Sequence, residues 1–296
     1  MLKLIRASFF RYFHSTVFWI CSGLALLIAV FFGYRLCRNV CLDEFWFFFA
    51  TAVIAVLIIL SVGGEVARQV KNKIVKGYSR TQIFFSELIV AYAIISFFFI
   101  LFLVMAFLLN IAIVPHTPVL LILQYIVGFY AIALAFTTVY CSLACMISMK
   151  TVAVAVCLVL SFTLYYSSFV VADQLDNREY NKVGAKTENG EWEFWFEKNP
   201  EYVDEPFRSV LTLYLNINPY GQRSVYEDIV YPYLFRDEAW EAALEATKNT
   251  TGNEHLLRDI SSEEQEFLNL APLYMVMPIP IYAIVGWLYF RKKELK

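Results

Sequence analysis

Residues 119–171 read VLLILQYIVGFYAIALAFTTVYCSLACMISM-K-TVAVAVCLVLSFTLYYSSFVV, two apolar runs separated only by Lys150. Each is at least as long as the ~20 mostly apolar residues that carry a helix across a bilayer, and neither contains an acid. An amphipathic surface helix would break such a run with a polar stripe. The pair therefore decides the class: membrane-spanning helices joined by a very tight turn. Working outward, four more runs of this kind lie at 16–34, 45–63, 83–109 and 272–290. The run at 119–149 is longer than the hydrocarbon needs and is expected to tilt, kink or protrude. Thr117 before Pro118 supplies it with a cap and a first-turn proline. The fold predicted is an all-α polytopic membrane protein with six transmembrane helices.

Composition agrees. Of 296 residues, 59% are hydrophobic and 17% charged, against ~25% charged in soluble domains. The charges are unevenly placed. Segment 173–269 holds 21 of the 26 acids and 9 of the 24 bases, a local net of −12. The remaining residues carry 5 acids and 15 bases, a net of +10. A soluble enzyme, a DNA-binding domain and a disordered tail are excluded on these grounds.

Short-loop charge sets the expected orientation. With the N-terminus in the cytoplasm, the inner side receives 13 Lys and Arg residues and the short outer loops only Arg35 and Arg38. Both termini are then cytoplasmic, and the acidic insert 173–269 between the fifth and sixth spans lies outside. The first run lacks a small-residue cleavage site and is expected to remain as an anchor. Cys37 and Cys41, four apart near the outer face, are either a disulfide or two small residues at a helix end.

Residues 1–15 are amphipathic at helical spacing. Leu2, Ile5, Phe9, Tyr12 and Phe13 fall on one side and Lys3, Arg11, His14 and Ser15 opposite, with Leu4 out of place. An interfacial helix lying flat in the headgroup layer is predicted.

Between the second and third spans the chain reads GGEVARQVKNKIVKGYSR, residues 63–80. Val66, Val70 and Ile74 form a stripe, with Arg68, Lys71 and Lys76 turned elsewhere. Gly77 is a helix stop, and Ser79 with Gln82 a capping box opening the third span. A short cationic helix over 65–76 is predicted. Spacing leaves two roles open, docking a soluble partner or anchoring to anionic lipid.

The insert carries folding signals of its own. Residues 182–186 and 192–196 flank Asn189-Gly190, a hairpin pattern. Pro206 starts a helix with Val210, Leu211, Leu213, Tyr214 and Leu215, Asp237 caps another, and Ser261 with Glu264 is a second capping-box pattern. A small mixed α/β extracellular domain results.

Signals for chemistry are sparse. His14, His116 and His255 form no metal-ligand pair. Glu87, one turn inside the third span, is expected to snorkel or pair with an inner base such as Arg11. Pro278 and Pro280 should bend the last span. Ser161, Thr163, Ser167 and Ser168 give the fifth span a polar strip beside Tyr165 and Tyr166.

The loop from Glu65 through Asn72-Lys73-Ile74-Val75 to Gly77-Tyr78-Ser79-Arg80 resembles the cytoplasmic loop of bacterial ATP-binding-cassette (ABC) exporter permeases of the type-2 membrane-domain family. The close at 290–296, FRKKELK, is similar to that family's end, and Asn218-Pro219-Tyr220-Gly221-Gln222 matches more weakly. The six-span plan agrees over the whole length. The resemblance implies that 65–76 is a coupling helix seated on a separate ATPase subunit, with Glu65, Arg68, Lys71, Lys73 and Arg80 as polar contacts. It implies a second permease, identical or related, and a substrate path lined by Ser161, Thr163, Tyr165, Ser167 and Ser168. The function implied is export of an amphipathic or hydrophobic substrate (peptide, toxin or lipid-like compound) across a bacterial cell membrane. No Gly-x-x-x-x-Gly-Lys-Ser/Thr loop occurs in the chain. ATP and magnesium would therefore be bound by the partner; this chain is expected to hold no cofactor, to catalyse nothing itself and to bind no nucleic acid. The alternatives are a membrane sensor or scaffold that binds ligand through its external domain, and a secondary transporter.

Overall fold

The computed structural model of the protein describes residues 1–16, 18–20, 22–24, 26, 27, 30, 53, 54, 57, 70, 72–110, 119–147, 149–177, 179–186, 192–222 and 275–292. Its elements in chain order are α1 (Leu2–Phe13), α2 (Arg80–Asn110), α3 (Val119–Met146), α4 (Lys150–Asp176), the strands β1 (Tyr180–Lys186) and β2 (Trp192–Lys198), α5 (Phe207–Ile217) and α6 (Pro278–Lys292). Within α2, α3 and α4, the stretches Arg80–Leu101, Ile126–Met146 and Thr151–Asp176 are long and apolar enough to cross a membrane. The protein is thus mostly helical and built around membrane-length helices. The described parts of the first two expected spans, such as 18–20, 22–24 and 53–54, are helical; their other residues lie outside the described set.

The start of α2 shows why the chain turns there. Asn72 to Val75 are helical and Gly77 adopts φ 88, a left-handed conformation that costs a residue without Cβ little. Ser79 Oγ then accepts the Gln82 N–H at 3.2 Å, while Gln82 Oε1 accepts the Ser79 N–H at 3.1 Å. Two otherwise orphaned donors are satisfied reciprocally.

Helices α2 and α3 run antiparallel. Tyr92 pairs with Thr138 at 2.7 Å and Ser96 with Tyr130 at 2.6 Å, so pairing steps back along α3 as it advances along α2. In α6, Phe290 packs its ring at a tilt against Phe84, Arg80 donates to the Arg291 carbonyl at 2.9 Å, and Trp287 donates to Thr81 at 3.1 Å. The end of α6 and the start of α2 therefore share one end of the bundle. At Gly286 the α3 and α6 backbones come so close that an added Cβ would lie 2.5 Å from Ser142 Cβ. The core between these helices includes Ile83, Phe84, Val90, Ile132, Phe136 and Tyr140.

The expected bend in the last span takes another form. Met275 and Val276 are helical, the path breaks at Met277, and Pro278 and Pro280 fall in the first turn of α6. There a missing N–H removes no helical hydrogen bond.

Beyond α4, β1 and β2 pair antiparallel from Tyr180↔Lys198 to Lys186↔Trp192. The turn carrying Asn189-Gly190 and the cap patterns at Asp237 and Ser261 lie outside the described residues, as does the pair Cys37 and Cys41. Helix α5 lies along α4. Asn218 Nδ2 donates to the Leu164 carbonyl at 2.9 Å. Leu164 is twelve residues back from the end of α4, about 18 Å at ~1.5 Å per residue. Part of the 173–269 insert thus folds back along the bundle.

Candidate functional site

The most distinctive polar cluster sits where α1, the 72–78 turn and α2 meet. Val70 is buried and Ile74 packs on the core, as the apolar stripe through the 65–76 segment requires. With those residues inward, Lys73 follows them. Its ammonium donates to Glu87 Oε1 at 2.7 Å, with both side chains almost wholly buried. Ser8 Oγ donates to the same oxygen at 3.2 Å, and Arg11 Nη2 donates to Ser8 Oγ at 3.1 Å. A buried carboxylate needs a counter-charge and further hydrogen bonds, and this one has both. Glu87 thus pairs with Lys73, an inner base, while Arg11 bonds Ser8.

The network orients α1. Its buried positions are Leu4, Ser8 and Tyr12, one residue per turn, while Leu2, Phe10 and Phe13 are exposed. Leu4, out of place by apolar count, thus belongs to the protein-facing stripe. A polar Ser8 belongs there too, because the surface it meets carries Glu87. Burial first, then the Glu87 charge, pushes the Tyr12 phenol well above its ordinary value, which keeps it neutral.

Glu65, Arg68 and Lys71 lie outside the described residues. Arg80 is tied to the end of α6. Lys73 points into the protein rather than outward.

The expected path residues fall on two faces of α4. Ser161 and Ser168 are buried, Ser161 bonding Tyr140 and donating to the Cys157 carbonyl at 2.7 Å. Ser168 donates to the Leu164 carbonyl at 2.7 Å. Tyr165 meets Tyr220 edge-on, with ring centroids 5.8 Å apart, and Tyr220 also meets Phe136 at 4.5 Å. Ser167 bonds the Tyr214 hydroxyl. Thr163 faces outward and is satisfied by the Val159 carbonyl at 2.9 Å. Tyr165 and Ser167 therefore meet the folded-back segment 214–222, while Ser161 is tied to α3.

The Asn218–Gln222 sequence shows how that segment holds its shape. Asn218 Oδ1 accepts the Tyr220 N–H at 3.1 Å and its Nδ2 reaches α4. At Gly221 a Cβ would lie 2.6 Å from the Leu215 carbonyl oxygen, and Gln222 Nε2 donates to the Asn216 carbonyl at 2.6 Å. Tyr282 of α6 donates to the Ile217 carbonyl at 2.7 Å. The sequence showed Asn218–Gln222 only as a weak family match; its insertion among helices was not visible there.

No group of three or more His, Cys, Asp or Glu residues that could hold a metal exists among the described residues. Compared with known proteins, the chain matches no family model and no curated sequence.

Proposed function

We propose that the protein is the membrane-spanning subunit of an ATP-driven ABC exporter, working with a separate ATPase subunit and a second permease chain. The observation that supports this reading is the buried Lys73–Glu87 pair. A loop helix meant to transmit force must be fixed to the membrane helix it moves. A charge pair closed off from water, braced by Ser8 of α1, is such a fixture. Arg68, Lys71 and Glu65 would supply the contacts to the ATPase, while Lys73 and Arg80 hold the 65–80 segment to the bundle. ATP binding by the partner would displace the loop and, through Glu87, the start of α2. The two states differ in which contacts the loop makes, which is what alternating access requires.

Helix α4 supports pairing with a second permease. Only 17% of its apolar stretch is buried, against 56% for those of α2 and α3, and Val152, Val156, Val159, Phe162, Tyr166 and Phe169 are exposed along it. The cargo would be amphipathic or hydrophobic, meeting the aromatic and hydroxyl surface of α4 and the 214–222 segment. The chain would span a bacterial cell membrane six times, with both termini in the cytoplasm. The test is the double charge reversal Arg68→Glu with Lys71→Glu. It is expected to abolish ATP-driven export while the protein still inserts and folds; unchanged export would overturn the assignment.

A further inference from the structure

A cleft of about 430 Å³ opens beside the ion pair, between α1 and the 72–78 turn. Its polar lining among the described residues is Lys3, Arg11, Asn72, Lys73, Lys76 and Tyr78: four cations, two neutral hydrogen-bonding side chains and no acid. Glu87 offsets the charge of Lys73 from behind, at 2.7 Å, which leaves the charges of Lys3 and Lys76 in the cleft, neither with an acidic partner among the described residues. The arrangement is built rather than incidental. Arg11 is oriented by bonds to the Ala7 carbonyl at 3.2 Å and to Ser8. The left-handed Gly77 reverses the chain, so that Lys76 before it and Tyr78 after it line the same cleft. Cationic side chains converging with neutral donors match a phosphate better than a carboxylate-bearing peptide, since three or more donors can be used on one group.

Two sources of phosphate fit that chemistry, a soluble anion and a lipid headgroup. The position favours lipid. The cleft adjoins the first turn of the membrane-length helix α2, which begins at Arg80. Next to it α1 exposes Leu2, Phe10 and Phe13, the apolar face by which such a helix rests in the headgroup layer. A soluble phosphate would gain only the charge, whereas a lipid gains the charge and keeps its acyl chains beside that apolar face. The volume lies within the ~300–1,000 Å³ of small-molecule sites, enough for a headgroup.

We propose that this cleft binds the phosphate of an anionic glycerophospholipid, clamping α1 to the 72–78 turn through Lys3 and Arg11 on one side and Lys76 on the other. The site does not depend on the transport reading. Lipid composition would set how firmly α1 and the turn move together.

The test uses the full-length protein, with any subunits that accompany it, delipidated in detergent. It is titrated separately with phosphatidylglycerol, phosphatidylcholine and inorganic phosphate, and bound species are scored by native mass spectrometry. Phosphatidylglycerol should bind with defined stoichiometry and phosphatidylcholine markedly less. The double variant Lys3→Gln/Lys76→Gln alters two exposed side chains, so folding is retained. It should bind phosphatidylglycerol about 30-fold more weakly, at ~1 kcal/mol per cation. Lys292→Gln, at the same end of the bundle but outside the cleft, should bind as the parent does. Equal binding of the two lipids, parent-like binding by the double variant, or equal weakening by Lys292→Gln would each overturn the site. Inorganic phosphate that displaces the lipid at comparable concentration would overturn the lipid assignment.

Discussion

Lys73 and Glu87, fourteen positions apart, form a 2.7 Å ion pair in which each side chain is at least nine-tenths buried. The pair joins the end of the 65–76 segment to the second turn of α2, and Ser8 adds α1 to the same carboxylate. Three elements that meet at one end of the bundle are therefore tied at a single oxygen.

Removing one partner leaves the other charged and buried, at a cost of ~3–5 kcal/mol. Glu87→Gln should lower the unfolding free energy of the detergent-solubilised protein by about 3 kcal/mol, measured by denaturant titration. The double variant Lys73→Met/Glu87→Leu should recover most of that loss, because an apolar pair fills the same space without stranded charge. Under the proposed function it should not recover export. If Glu87→Gln leaves stability unchanged, the pair is not buried as described.

Helices α3 and α6 depend on the absence of a side chain at Gly286. Gly286→Ala would place its Cβ against Ser142, whose hydroxyl has no partner among the described residues, and should cost ~1–3 kcal/mol. Ser142→Gly should rescue it by removing the opposing Cβ; Ser142→Ala, which keeps that carbon 2.5 Å away, should not. Thermal unfolding of the two double variants separates these outcomes.

Gly221 approaches the backbone of Leu215, with 2.6 Å from a Cβ to the carbonyl oxygen and 2.7 Å to Cα. A backbone cannot turn aside as a side chain can. Gly221→Ala is expected to release segment 214–222 from α4, seen as faster limited proteolysis after α5, with the α2–α3 pairing intact. Asn218→Leu should act in the same direction, because it removes both the bond to Leu164 and the turn around Tyr220.

Under the proposed function, the outward face of α4 is where a second permease chain would sit. Val159→Cys, 67% exposed, should give an oxidative cross-link to that chain in native membranes, whereas Ala153→Cys, fully buried, should give none. Labelling of Val159→Cys by a maleimide without any cross-link would place this face against lipid instead.

Much of the local structure was legible in sequence because local signals produce it. Gly77 and the Ser79–Gln82 reciprocal cap act within a few residues, and so does the pairing of 180–186 with 192–198. Long apolar runs announced α2, α3 and α4 for the same reason. What escaped depends on contacts between distant segments. Apolar count put Leu4 on the wrong side of α1, since a helix at an interface shows hydrophobic residues to lipid as well as to protein. Glu87 was expected to snorkel or to pair with an inner base such as Arg11, and it does pair with an inner base; that the base is Lys73 depends on the loop's fold at Gly77 and the inward roll of Val70 and Ile74. Proline spacing suggested a bent last span, whereas the chain starts a new helix at Pro278. The Asn218–Gln222 sequence carried the residues for a tight, close-packed turn but nothing that told it to fold back beside Leu164.

Under the proposed function, this chain transmits force from a separate ATPase. The most direct measurement is ATP hydrolysis by the affinity-purified full-length protein, isolated from its native membrane in mild detergent. A co-purifying ATP-binding-cassette subunit in fixed stoichiometry is expected, with hydrolysis that disappears from the preparation when Arg68→Glu/Lys71→Glu is purified in the same way. A homogeneous, folded preparation that carries no such subunit and hydrolyses no ATP would contradict it.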